Sequence, residues 1–285
     1  MINIFKASLY KMVKDITFRI TLIIGGAFTL IMTLLYFAMD YGFDTSEGLY
    51  LTGPSMMFNS MSPMQNFGFV LPIMLIIYVC LEFSQGIVRN KIIAGYSKIE
   101  VYFGLLLSAL VFTFGIMVTY VLLNTFIGFA FSGFRVSGDF ALGLLSASGT
   151  LSWTFILKIV AIFVVTYLSI VCYTVFIATV FRSVGPCIPL VMVVLMACYI
   201  VASLVSTIAL LEDSGLLGID VSTVKNIAMT IDPLYAITGG VSMDETTTEL
   251  TVEFGVFISA LANNLIYSVL FTTFGALLFR KRDVK

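Results

Sequence analysis

The sequence predicts an all-α integral membrane protein: six transmembrane helices, an interfacial amphipathic helix before the first, and both termini in the cytoplasm. Three observations predict it. Of 285 residues, 60% are hydrophobic and only 11% charged, whereas soluble domains carry about a quarter charged residues. Uncharged runs recur at the length of about 20 residues that a helix needs to cross roughly 30 Å of hydrocarbon. Cations gather on one side of those runs and acids on the other. Helix is the form such runs must take, because lipid offers no partner to free backbone groups and the runs are too long for barrel strands.

The N-terminal stretch INIFKASLYKMVKDI puts Phe5, Leu9, Met12, Val13 and Ile16 on one stripe and Lys6, Lys11 and Lys14 on the opposite side. This pattern predicts a helix over about 1–17 lying in the inner interface, its lysines toward anionic lipid. Span one, about 20–39, fills the uncharged interval between Arg19 and Asp40. It is longer than a secretory apolar segment and lacks a small-residue cleavage site, so it reads as a signal anchor.

Span two, about 66–82, is the apolar second half of a run whose first half is rich in Gly, Pro, Ser, Asn and Met. Span three covers about 101–127. Residues 140–157, FALGLLSASGTLSWTFIL, are uncharged too. Their glycines and small-residue pairs predict an interfacial or re-entrant outer segment with Trp153 at headgroup level; a seventh span would put Arg182 outside. Span four covers 158–181, with Lys158 snorkelling outward. Span five, 186–211, opens on GPCIP, where Pro186 and Pro189 suit a helix's first turn. An acidic outer loop over 212–253 leads to span six, 254–279.

The orientation follows from the positive-inside rule. Lys6, Lys11, Lys14 and Arg19 precede span one. Arg89, Lys91 and Lys98 lie between spans two and three, Arg182 between four and five, and four more cations in the tail RKRDVK. Only Arg135, Lys158 and Lys225 are left outside, while all but four of the 16 acids face out.

Several chemistries are excluded. With no histidine there is no Ser-His triad, no HExxH zinc site and no histidine-ligated haem. Cys80, Cys172, Cys187 and Cys198 sit in apolar runs without CxxC spacing and read as small buried hydrophobes, not zinc ligands or disulfides. No site residue points to catalysis or to a metal. Polar groups at membrane depth usually face protein or a cavity, and Asn263 and Asn264 in span six read as helix-packing groups.

The stretch 82–104, EFSQGIVRNKIIAGYSKIEVYFG, is too polar for lipid and lies on the cytoplasmic side. Ile92, Ile93, Tyr96, Ile99 and Tyr102 recur at helical spacing, with Arg89, Lys91, Lys98 and Glu100 on other faces. They predict a short amphipathic helix within 83–100, interrupted by Gly95. It either closes a loop at the membrane surface or docks as a knob in a cytoplasmic partner.

These residues resemble the ABC-2 type permeases, the membrane subunits of ATP-binding-cassette exporters with the type V exporter architecture. In that family span two ends in Glu followed by Gly, and a cytoplasmic helix ends in a Gly-x-Ser-Arg/Lys turn. Here Glu82 and Gly86 are followed by Gly95, Tyr96, Ser97 and Lys98. Ile87 and Leu105 replace a Thr and a Lys common among relatives, which leaves the subfamily open. The resemblance implies a coupling helix over 87–100, including Gly86, Arg89, Lys91, Ile92, Ile93, Gly95, Tyr96, Ser97, Lys98 and Glu100, that docks on an ATPase. It further implies that spans two and five line the export path and that a second permease copy, identical or related, completes the transporter.

The chain has no phosphate-cradling GxxxxGK[ST] loop, so ATP and Mg would be bound by a partner ATPase and no cofactor by this chain. The expected function is export of an amphipathic substrate, a peptide, toxin or antimicrobial, across a bacterial cell membrane. Partners would be the ATPase, the second copy and lipid, not nucleic acid. A secondary transporter or channel is the alternative, although no span carries a central acid or cation for ion coupling. A non-transporting immunity or scaffold protein is the other.

Overall fold

The computed structural model describes residues 2–42, 52–62, 67–133, 137–142, 145–150, 152–213, 241–243 and 250–281. Nine helices form its frame among the described residues. The tail 282–285 and most of the acidic loop expected over 212–253 lie outside them, as do Gln65 and Asn66.

Helix α1 (Ile2–Lys14) gives way at Asp15 to α2 (Ile16–Gly42). The Asp15 carboxylate accepts the Thr17 N–H at 2.8 Å, satisfying one of the orphan donors that open a helix. After α2 comes α3 (Gly53–Met61), a short helix whose residues are buried except for Met57. Sequence reading assigned no element there. Thr52 caps α3 through the Ser55 N–H, and the Gly53 N–H donates to Gly133 O at 3.1 Å. The second bond seats α3 on the far end of α6.

Helix α4 (Phe67–Ser84) coincides with expected span two. A bend of 48° separates it from α5 (Ile87–Ile93). Helix α6 (Lys98–Ser132) outruns expected span three at both ends. Within the stretch expected over 140–157 as an interfacial or re-entrant outer segment, the described residues pair as strands: β1 (Ser137–Leu142) and β2 (Leu145–Thr150) form an antiparallel hairpin pairing Ser137 with Thr150. Trp153 then opens α7 (Trp153–Phe181), whose Ser152 cap accepts the Phe155 N–H. Helix α8 (Val184–Asp213), the β3–β4 hairpin (Val241–Met243, Leu250–Val252) and α9 (Phe254–Lys281) are the remaining elements among the described residues.

Among the described residues, five helices are long and apolar enough to cross a bilayer, and a sixth crossing is made if α4 and α5 count as one bent pair. The protein is a multi-pass membrane protein. Helix α7 is the hub, packing on α4, α6 and α8 and most extensively on α9. Small α9 residues, Ala260, Asn264, Ser268 and Gly275, are buried, and small residues let membrane helices approach closely. Much of α2, α8 and α9 remains open, with Ile23, Leu34, Val193, Leu204 and Val269 all exposed. Such apolar faces suit hydrocarbon or another apolar helix, not water.

The two ends of the bundle differ. One holds α1, α5, the start of α6 and the end of α9, where the Lys98 ammonium donates to Arg280 O at 3.3 Å. The other holds α3 and the hairpins, where the Lys158 ammonium donates to Val252 O at 3.0 Å. That bond gives Lys158 a protein acceptor rather than leaving it only to snorkel.

Candidate functional site

Three elements converge on one carboxylate at the α5 end. Glu82 stands in the last turn of α4 and is fully buried. A lone ionised carboxylate in such surroundings is strongly disfavoured. Here both oxygens are engaged: Lys11 of α1 reaches Oε1 at 2.7 Å and Lys91 of α5 reaches Oε2 at 3.0 Å. These are charge-assisted hydrogen bonds, stronger than neutral ones. The lysines are less deeply buried, 30% and 15% exposed, so their outer faces keep some hydration.

The chain reaches this geometry by a sharp turn. Gly86 takes a left-handed conformation, φ 69° and ψ 11°, immediately before α5, which disfavours residues with a Cβ. The Gly86 N–H donates to Phe83 O and its carbonyl accepts the Asn90 N–H at 2.9 Å. Val88 turns into the core, and Lys91, one turn further on, faces back across the bend to Glu82. Helix α5 is thus fixed at its start by the turn and along its inner side by the ion pair.

On α1 the expected stripe divides. Met12 is buried in the main core and Leu9 is half-buried, while Val13 is exposed. Lys11, expected to face lipid, turns inward to Glu82 instead. Lys6 and Lys14 remain exposed. Lys14 hydrogen-bonds Tyr10 and lies over its ring, 4.3 Å from the centroid. A surface groove of about 320 Å³ is lined by Lys6, Leu9, Tyr10, Val13 and Lys14. Phe5 lies in α1, its side chain outside the described residues.

Beyond α5 the expected coupling helix ends early. Gly95 has φ 92°, so α5 stops at Ile93. Lys98, Ile99 and Glu100 belong to the first turn of α6 rather than to the amphipathic helix. Ser97 caps that turn: its hydroxyl accepts the Glu100 N–H at 3.3 Å, and the Glu100 carboxylate accepts the Ser97 N–H at 3.1 Å. This reciprocal capping box makes the tip a short, well-terminated corner. Ile93, Tyr96 and Ile99 are exposed there, Ile93 at 71%, with Arg89 and Asn90 alongside and Ile92 half-buried.

Of the sequence-derived residues, the structure brings together Glu82, Gly86, Lys91 and Lys11. It places Asn263 and Asn264 far along the chain on α9, where the buried Asn264 amide donates to Ala260 O of its own helix. Two relationships escaped sequence reading. Lys11 and Glu82 are 71 residues apart, and Cys80 and Cys187, 107 apart, bring their sulfurs to 3.9 Å. No spacing rule reaches either pair. Among the described residues no group of three or more His, Cys, Asp or Glu could hold a metal ion.

Comparison with protein families and with curated proteins returned no match.

Proposed function

We propose that the chain is the permease subunit of an ATP-driven exporter of the ABC-2 type, working with a separate cytoplasmic ATPase and a second permease copy. The carrying observation is the joint between α1, α4 and α5. A buried carboxylate at the end of a spanning helix is held by one lysine from each of two short helices at the same end of the bundle. A push on α5 is therefore transmitted to α4 through a turn and an ion pair, and to α1 through the other lysine. The exposed apolar tip, Ile93, Tyr96 and Ile99, is where a partner would push.

In this reading the tip seats in an apolar cleft of the ATPase, with Arg89 meeting acidic groups at its rim. ATP-driven closure of two such ATPases moves both tips, and each α4 follows. The substrate is amphipathic, passing between apolar helices; a peptide, toxin or antimicrobial fits that description. The chain stays in the cell membrane with the α5 end cytoplasmic, as the cation distribution requires.

The test is co-expression of the chain with cassette ATPases encoded beside its gene, gentle extraction through a tag on this chain, and ATPase assay in liposomes. A stoichiometric ATPase is expected for wild type. Its loss is expected for Ile93→Asp with Tyr96→Asp, which alters only exposed groups and leaves insertion intact. An ATPase retained at wild-type level by that variant, or none captured by wild type, overturns the reading.

A further inference from the structure

Cys80, half a turn before Glu82 on α4, and Cys187, in the first turn of α8, are both shut off from solvent. The Cys80 thiol donates to the Cys187 sulfur at 3.9 Å, and the Cys187 thiol donates to Ile177 O of α7 at 3.8 Å. They are the meeting point of three helices.

That separation constrains what the pair can bind. A disulfide needs the sulfurs to close to about 2.05 Å, and it needs an oxidant. Two thiolates sharing one centre at the usual zinc–sulfur length of about 2.3 Å lie roughly 3.8 Å apart at a tetrahedral angle. The pair lies close to the spacing of a two-sulfur chelate, and a pyramidal trivalent centre, with its narrower angle, draws the two sulfurs somewhat closer. Zinc would require two further ligands, and the described residues supply no third His, Cys, Asp or Glu. A monovalent soft ion between two thiolates would leave a buried net negative charge, which the surroundings disfavour. The fitting ligand is soft, takes two sulfurs and leaves a neutral adduct.

We propose that Cys80 and Cys187 form a dithiol site for a trivalent arsenical, which on binding staples α4 to α8. For an arsenoxide the step balances without redox chemistry. Two As–S bonds form, the oxygen departs as water carrying both thiol protons, and arsenic stays trivalent. The site does not depend on the transport reading; the consequence for transport does, because there α4 and α8 line the path and a staple between them stops it.

The probe is phenylarsine oxide on the full-length protein in nanodiscs. Wild type is expected to bind one equivalent and to unfold at higher temperature. Release by 2,3-dimercaptopropanol but not by 2-mercaptoethanol at equal thiol concentration is expected, since only a dithiol competes with a chelate. Cys80→Ala and Cys187→Ala should each weaken binding about 100-fold or more, the usual gain from a second linked contact, while Cys172→Ala and Cys198→Ala leave it unchanged. Release by the monothiol, or binding that survives Cys80→Ala or Cys187→Ala, overturns the site. If binding meets these criteria yet ATP-driven transport continues in the occupied protein, the site stands and the assignment of α4 and α8 to the path fails.

Discussion

Lys91 and Glu82 lie nine residues apart on opposite sides of the Gly86 turn and close it with a 3.0 Å ion pair. Neither residue faces the other along a continuous helix. The bend between α4 and α5 makes the contact, and the contact in turn holds the bend. Lys11 completes the arrangement from a third element.

Glu82→Gln leaves two lysines facing a neutral amide and should lower stability by about 1–3 kcal/mol. Removing one partner of a fully buried pair costs about 3–5 kcal/mol, and the partial exposure of both lysines screens part of that. Lys91→Met should cost less, because Lys11 remains. The two changes together should cost less than their sum, as expected for residues in contact. Thermal unfolding in one detergent measures all three, and strict additivity would count against the shared joint.

Gly86→Ala tests the turn. Beyond its chain neighbours no atom lies within 4 Å of the Cβ it would add, so the effect comes from the left-handed backbone, about 1–2 kcal/mol. Gly86→Asn should be milder, since Asn tolerates that region. Equal loss for both would point to a cause other than backbone conformation.

Gly275 on α9 faces the hydroxyl of Tyr102 on α6 so closely that a methyl group there would overlap it. Gly275→Ala should therefore destabilise by about 1–3 kcal/mol, the usual range for overpacking. Tyr102→Leu should relieve much of that loss in the double variant. If the double variant is no better than the sum of the singles, the helices do not meet through this contact.

Ser97→Ala removes the cap of α6 and should cost about 0.5–2 kcal/mol. The loss should concentrate at the start of α6, read as faster amide exchange at Glu100 and Val101, whose N–H groups bond to Ser97. Faster exchange spread over the whole bundle would mean the cap has a wider role.

Much of the frame was legible in the sequence, because hydrophobic length and charge asymmetry are local and cumulative properties. Spans one, two, five and six fell within a few residues of α2, α4, α8 and α9. The errors arose where a local signal was ambiguous. Residues 140–157 lack charge, as a membrane segment would, yet 137–142 and 145–150 pair as strands and 153–157 open α7; strand pairing depends on register rather than composition. Helix α3 went unnoticed because Gly, Pro, Ser and Asn lower helix propensity, and burial against α6 overrides that preference.

The sequence by itself determined that this is a helical multi-pass membrane protein, with a polar, amphipathic stretch interrupted by Gly95 between α4 and α6. It did so because hydrophobic length, charge distribution and helical periodicity are written within a few residues of one another. Only the tertiary structure decided which cations meet Glu82 and which two of four cysteines touch. The Lys11–Glu82 and Cys80–Cys187 contacts depend on how segments 71 and 107 residues apart pack, and a contact across such a gap leaves no periodic trace along the chain.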